Sequence, residues 1–170
     1  MEYEQISSNI TSYPLDYRKI YEKLISLLEE LKEKIYAGTI NAMSKKNKNH
    51  INRLISELKE SFEKLDKTLS QLENYKKEYL RFLSIKRMAF YILEDSTLFE
   101  HIVSIEKLFN SFCNIAYLKN AATDEEYEKY YKEFEKELLN FEQFFYTEVC
   151  KPSESYNEET LSSITNSLLN

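Results

Sequence analysis

One glycine and two prolines are all that 170 residues supply of the two strongest turn formers. Sandwiches, barrels and doubly wound sheets reverse the chain at many tight turns, and those turns draw on glycine and proline. With Gly38, Pro14 and Pro152 alone, the chain has few reversals and long segments between them. Those segments carry apolar residues at helical period, and none shows strand alternation. The fold class predicted is all-α: a long antiparallel helical hairpin, coiled-coil-like, continuing into a three- or four-helix bundle.

Residues 1–13 are polar and read as a flexible N-terminal arm. Pro14 suits the first turn of a helix, where its missing N–H is harmless. Tyr21, Leu24, Leu28, Leu31 and Ile35 then repeat at 3-4-3-4, a heptad seam, and Gly38 fits the stop. Helix one is expected over about 15–37. Ile51, Ile55, Leu58, Phe62, Leu65, Leu69 and Leu72 form a second seam, interrupted at Lys76 and resumed at Tyr79 and Phe82 or Leu83. No glycine or proline intervenes, so helix two is expected over about 49–93, on the order of 65 Å if unbroken. Asp95, Ser96 and Thr97 offer caps, with Thr97 and Glu100 at capping-box spacing, ahead of helix three, about 98–119, whose apolar residues cover most of its circumference. Thr123 opens another cap before helix four, about 124–150, which carries Tyr127, Tyr131, Phe134, Leu138, Phe141 and Phe145. Together these form one helical domain over 14–150. The tail, 151–170, has Leu161, Ile164 and Leu168 spaced for a short helix over 158–169.

The composition argues against chemistry. Nucleophilic catalysis needs a nucleophile, a base and an orienting group within hydrogen-bond reach. The chain has two histidines: His50 in a polar linker and His101 beside the apolar Ile102. Neither has glutamate three positions before it, so the paired Glu-x-x-His of di-iron bundles is absent. No cysteine–histidine spacing suits zinc, and a single glycine excludes a phosphate-cradling loop. The chain is read as a non-enzyme, with no catalytic, cofactor-binding or metal residues and no small-molecule substrate. Cys113 and Cys150 are expected as free thiols, with Cys113 buried as a small apolar residue.

The N-terminus MEYEQISSN is acidic and polar and does not read as a signal peptide. The densest apolar run, MAFYIL (88–93), is too short for a bilayer. A cytoplasmic location is expected. Abundant Tyr, Lys, Ile and Asn with scarce Gln fit an AT-rich coding source, thermophilic or viral.

Charge is unevenly placed. Residues 1–123 carry 19 basic and 17 acidic side chains, whereas residues 124–170 carry 4 and 12. From Lys34 to Ser56 there is no acidic residue. Two basic clusters result: Lys45, Lys46, Lys48 and Arg53 at the expected hairpin tip, and Lys76, Lys77, Arg81, Lys86 and Arg87 later on helix two. Either could contact phosphates, and either could be solvated or paired with the acidic helix four.

The function expected from these features is a protein–protein interaction or scaffold module. It would self-associate through its heptad seams as a homodimer or meet another helical protein. Phe144, Phe145 and Tyr146 place aromatics on neighbouring faces and are the candidate interaction surface. The second reading is a nucleic-acid-associated protein working through the two basic clusters (45–53 and 76–87). A third is a structural, virion-type helical subunit.

Overall fold

The computed structural model describes residues 2–36 and 45–150, with side chains from Tyr17 onward. Every element among them is helical: α1 (Glu2–Tyr36), α2 (Lys45–Ser70), α3 (Lys76–Leu93), α4 (Ile102–Leu118) and α5 (Asp124–Phe144). Short 3-10 segments, Glu73–Tyr75 and Ser96–His101, precede α3 and α4, and a π-helical turn, Phe145–Val149, follows α5. The all-α expectation stands, with bundle-like packing. Gly38 and the tail helix over 158–169 lie outside the described residues.

Four boundaries differ from expectation. First, α1 starts at Glu2, so residues 2–13 are helical in backbone rather than a loose arm. Pro14 therefore lies inside a helix. Its fixed φ is compatible with that, although it gives up one backbone bond.

Second, the helix expected over 49–93 is two helices. The chain leaves α2 after Ser70, Leu72 takes an extended conformation (φ −97°, ψ 103°), and a 3-10 turn leads into α3. No glycine or proline marks the break. Its value is burial: α3 doubles back on α2, setting Phe62 against Phe82 and Phe90 at ring separations of 6.0 Å each. One straight rod would have left that face of Phe62 bare. The interruption of the apolar stripe at Lys76 falls on the first residue of α3.

Third, Asp95 caps the turn before α4, accepting from the Thr97 amide at 3.0 Å and the Thr97 hydroxyl at 2.7 Å. Thr97 is thus a donor to the cap, not the cap itself. Fourth, α5 ends in a widened turn closed by the Cys150 amide on the Phe145 carbonyl at 2.8 Å. The predicted cap at Thr123 is present, its hydroxyl accepting from the Glu126 amide at 3.2 Å.

The chain divides into two compact units, residues 1–113 and 114–170. In the first, α1 lies along α2: Glu30 meets His50 near one end, and the Tyr17 and Tyr75 hydroxyls meet at 2.9 Å beyond the other. The seam residues Tyr21, Leu24, Leu28, Leu31, Leu58, Phe62, Leu65 and Leu69 are all buried. Tyr21, Phe62, Phe82, Phe109 and Phe112 form a continuous run of rings 5.8–6.5 Å apart. Edge-to-face pairs at such separations add to the area each ring buries. This aromatic centre and the buried leucines of the seam together form the core of the unit. In the second unit, Tyr127, Tyr131, Phe134, Leu138 and Phe145 form the buried stripe of α5 and its last turn.

Candidate interaction surfaces

The first basic cluster lies on the opening turns of α2. Lys45, Lys46, Lys48 and Arg53 are all exposed. None of the three lysines has an ion-pair partner among the described residues. Lys46, Asn49, His50 and Arg53 stand at i, i+3, i+4 and i+7, which puts them on one helix face. They line an open cavity of about 360 Å³.

His50 organises this face. Its Nε2 lies 3.0 Å from Glu30 Oε1 on α1, and its Nδ1 lies 3.3 Å from an Arg53 terminal nitrogen. A guanidinium has donors only, so Nδ1 must accept, and Nε2 carries the proton donated to Glu30. Glu30, His50 and Arg53 thus form a chain of contacts from α1 to the cavity.

The second cluster does not act as a unit. Lys86 is drawn inward, with its Nζ 2.6 Å from Asp66 Oδ2, 2.9 Å from Glu63 Oε1 and 5.5 Å from the centre of the Phe90 ring. Its ammonium is held charged: burial would lower its pKa, but the hydrogen bonds to Asp66 and Glu63 outweigh that and raise it. Asp66 also accepts from the Tyr79 hydroxyl at 2.5 Å. Burial, then that bond, pushes the Tyr79 phenol up to about 12. The acidic partners of Lys86 therefore come from α2 and not from the acidic last helix. Lys76, Lys77 and Arg87 are exposed, and Arg81 is half-buried.

The two clusters also stand apart. Because α3 runs back along α2, Lys76 and Lys77 lie beside the far end of α2. Lys45 is at the near end, about 37 Å away by helical rise. A single short phosphate-tracking groove cannot include both.

The aromatic trio at the end of α5 is split as well. Phe145 is fully buried, because it continues the stripe through Tyr131, Phe134 and Leu138. It is thereby removed from the candidate interaction surface. Phe144, one residue earlier and about 100° around the helix, is 44% exposed. Phe141 and Tyr146 are half-buried. Phe141 joins Phe144 and Phe145 at 6.0 and 5.9 Å, and Phe145 meets Tyr146 edge-on at 5.1 Å. Phe144 is thus an outward ring backed by a packed aromatic cluster. Sequence reasoning missed the exposed Leu80 on α3 and Leu139 on α5. It equally missed the Glu30–His50–Arg53 chain, although His50 and Arg53, three apart on one helix, were a visible cue.

Among the described residues no group of three or more His, Cys, Asp or Glu side chains could hold a metal ion. None of their helices is long and apolar enough to cross a membrane. No family model, curated protein or solved structure matches the chain.

Proposed function

We propose that this protein is a non-enzymatic helical interaction module that self-associates through the aromatic outer edge of α5. The observation that carries this reading is Phe144: a large apolar ring 44% exposed, held in place by Phe141 behind it. Most residues of the heptad seams are already buried within the chain, with Ile35, Ile55 and Leu72 half-buried, so the seams offer less free apolar surface than Phe144 does. An outward ring on a packed base keeps little side-chain entropy to lose, which favours it as a contact anchor.

Two further points belong to this proposal. The Glu30–His50 and Tyr17–Tyr75 contacts support reading α1 and α2 as a long antiparallel hairpin. Two buried free thiols suit a reducing, cytoplasmic setting.

Sedimentation equilibrium over a hundredfold concentration range tests the function. The expected result is a mass that rises to a dimer, with the Phe144→Glu variant staying monomeric and fully helical. A concentration-independent monomer mass for the unaltered chain would end the proposal.

A further inference from the structure

We propose that the cavity on the opening turns of α2 is a binding site for a phosphate monoester, held between Lys46 and Arg53. This site is independent of the α5 surface and of any self-association.

The geometry selects the ligand's charge. Lys46 and Arg53 are two turns apart on one face and bracket Asn49 and His50. Two cationic side chains and an amide therefore border one open volume of about 360 Å³. Lys45 and Lys48 flank that face on α2, and the opposing charge is Glu30 of α1, whose carboxylate is occupied by His50. The local balance of Lys46, Arg53 and Glu30 is positive with His50 neutral, and an anion is the complement. A dianion carries twice the charge of a carboxylate and so gains more from the two cations.

The arrangement also prepares Arg53. A free arginine gives up considerable rotamer freedom when it binds. Here one terminal nitrogen already rests on His50 Nδ1, so the side chain is partly ordered before any ligand arrives. The remaining N–H groups keep the fork that matches phosphate oxygens bidentately. His50 is itself tied to α1 through Glu30, so this wall residue is braced by a second helix. The volume exceeds one phosphate group and leaves space for a small organic moiety on it, which distinguishes a monoester from the bare ion.

The chain's two histidines supply the readout. Imidazole resonances are followed by NMR at low ionic strength and fixed pH while inorganic phosphate, and then glycerol 3-phosphate, is added. The expected result is a saturable shift of the His50 signals, with His101 stationary as the internal reference and glycerol 3-phosphate binding more tightly than inorganic phosphate. Lys46→Gln and Arg53→Gln should each weaken binding at least tenfold. Both side chains are exposed, so helicity should not change. The Lys76→Gln variant should bind as the unaltered chain does. A nucleic-acid backbone as the source is separated by a short single strand with and without a 5′-phosphate. Preference for the phosphorylated strand is expected, and equal shifts overturn the monoester assignment. Histidine signals that move together, or variants that titrate unchanged, overturn the site.

Discussion

The Lys86 ammonium and the Asp66 carboxylate meet at 2.6 Å across the α2–α3 fold-back, with Tyr79 bonded to the other oxygen of the same carboxylate. Both charged side chains are mostly covered, 15% and 20% exposed. The cluster fixes the register of α3 on α2 and withdraws Lys86 from any surface role. Removing one member of such a group leaves its partners buried without compensation, which costs more than the pair contributes.

Lys86→Ala is therefore expected to lower stability by about 1–3 kcal/mol in urea unfolding. Lys86→Met keeps the apolar stem on Phe90 and should cost less than Lys86→Ala, by an amount that measures the packing share. Loss of less than about 0.5 kcal/mol for Lys86→Ala would class the contact with ordinary surface pairs.

The same cluster predicts alkaline sensitivity. The folded Tyr79 phenol is pushed up to about 12 by burial and its bond to Asp66, above the ordinary phenol range. The folded state thus holds this proton more tightly than the unfolded chain. Stability from it is fully present below the unfolded value and falls as pH rises through the folded one. Lys86 shifts in the same direction, so its contribution is lost over the alkaline range too. Urea midpoints should hold steady below about pH 10 and decline above it. Tyr79→Phe should flatten the decline, and an identical slope in that variant would exclude Tyr79 as its source.

The helix caps give a second comparison. The Thr123 hydroxyl bonds the Glu126 amide, so Thr123→Ala should cost about 1 kcal/mol. Glu100→Ala should cost nothing measurable, because the expected Thr97–Glu100 box is not the cap in use. Asp95→Ala should destabilise the start of α4, since Asp95 accepts both the Thr97 hydroxyl and its amide. Those two bonds, the side-chain one first, hold the Asp95 carboxyl below its ordinary range. A depressed carboxyl contributes stability above its unfolded value and loses it as pH falls through the folded one. The Asp95→Ala penalty should therefore shrink in acid, and a penalty constant with pH would rule out the carboxylate as the cap.

What the sequence could disclose follows from how local each decision was. The seam Tyr21, Leu24, Leu28 and Leu31 and the cap at Thr123 are set by residues within a turn or two of each other, and both were readable. The break after Ser70 was not, because nothing at Gln71 or Leu72 forbids a helix. It forms because Phe62 finds Phe82 and Phe90 some twenty to thirty residues later, a gain that no local window contains. The basic clusters were visible as charges. Whether Lys86 was free depended on the same fold-back, which brings it to Asp66. Phe145 was readable in both senses: as a neighbour of Phe144 it resembled surface, and as the next step after Leu138 it belonged to the core. Periodicity was the better guide, since burial follows the stripe and not the dipeptide.

Cys113 and Cys150 make the last prediction, because they separate exposure from chemistry. Both are free, and each is 2% exposed. Burial alone pushes the Cys113 thiol far above its ordinary range, so the nucleophilic thiolate is scarcely populated. A thiol reagent such as 5,5′-dithiobis(2-nitrobenzoate) must therefore wait for the fold to open. Native protein should show no fast reaction, and both thiols should react at once in denaturant. In native buffer the slow rate should rise with urea in step with the unfolding equilibrium for Cys113, which sits beside the aromatic centre at Phe112. Cys150 closes the π turn after α5 through one backbone bond and should open first by local unfolding of that turn. Phe144→Glu leaves the buried ring of Phe145 in place and should not change the Cys113 rate. Rapid labelling of Cys113 in the native protein would mean that the packing around α4 is looser than its buried side chains imply.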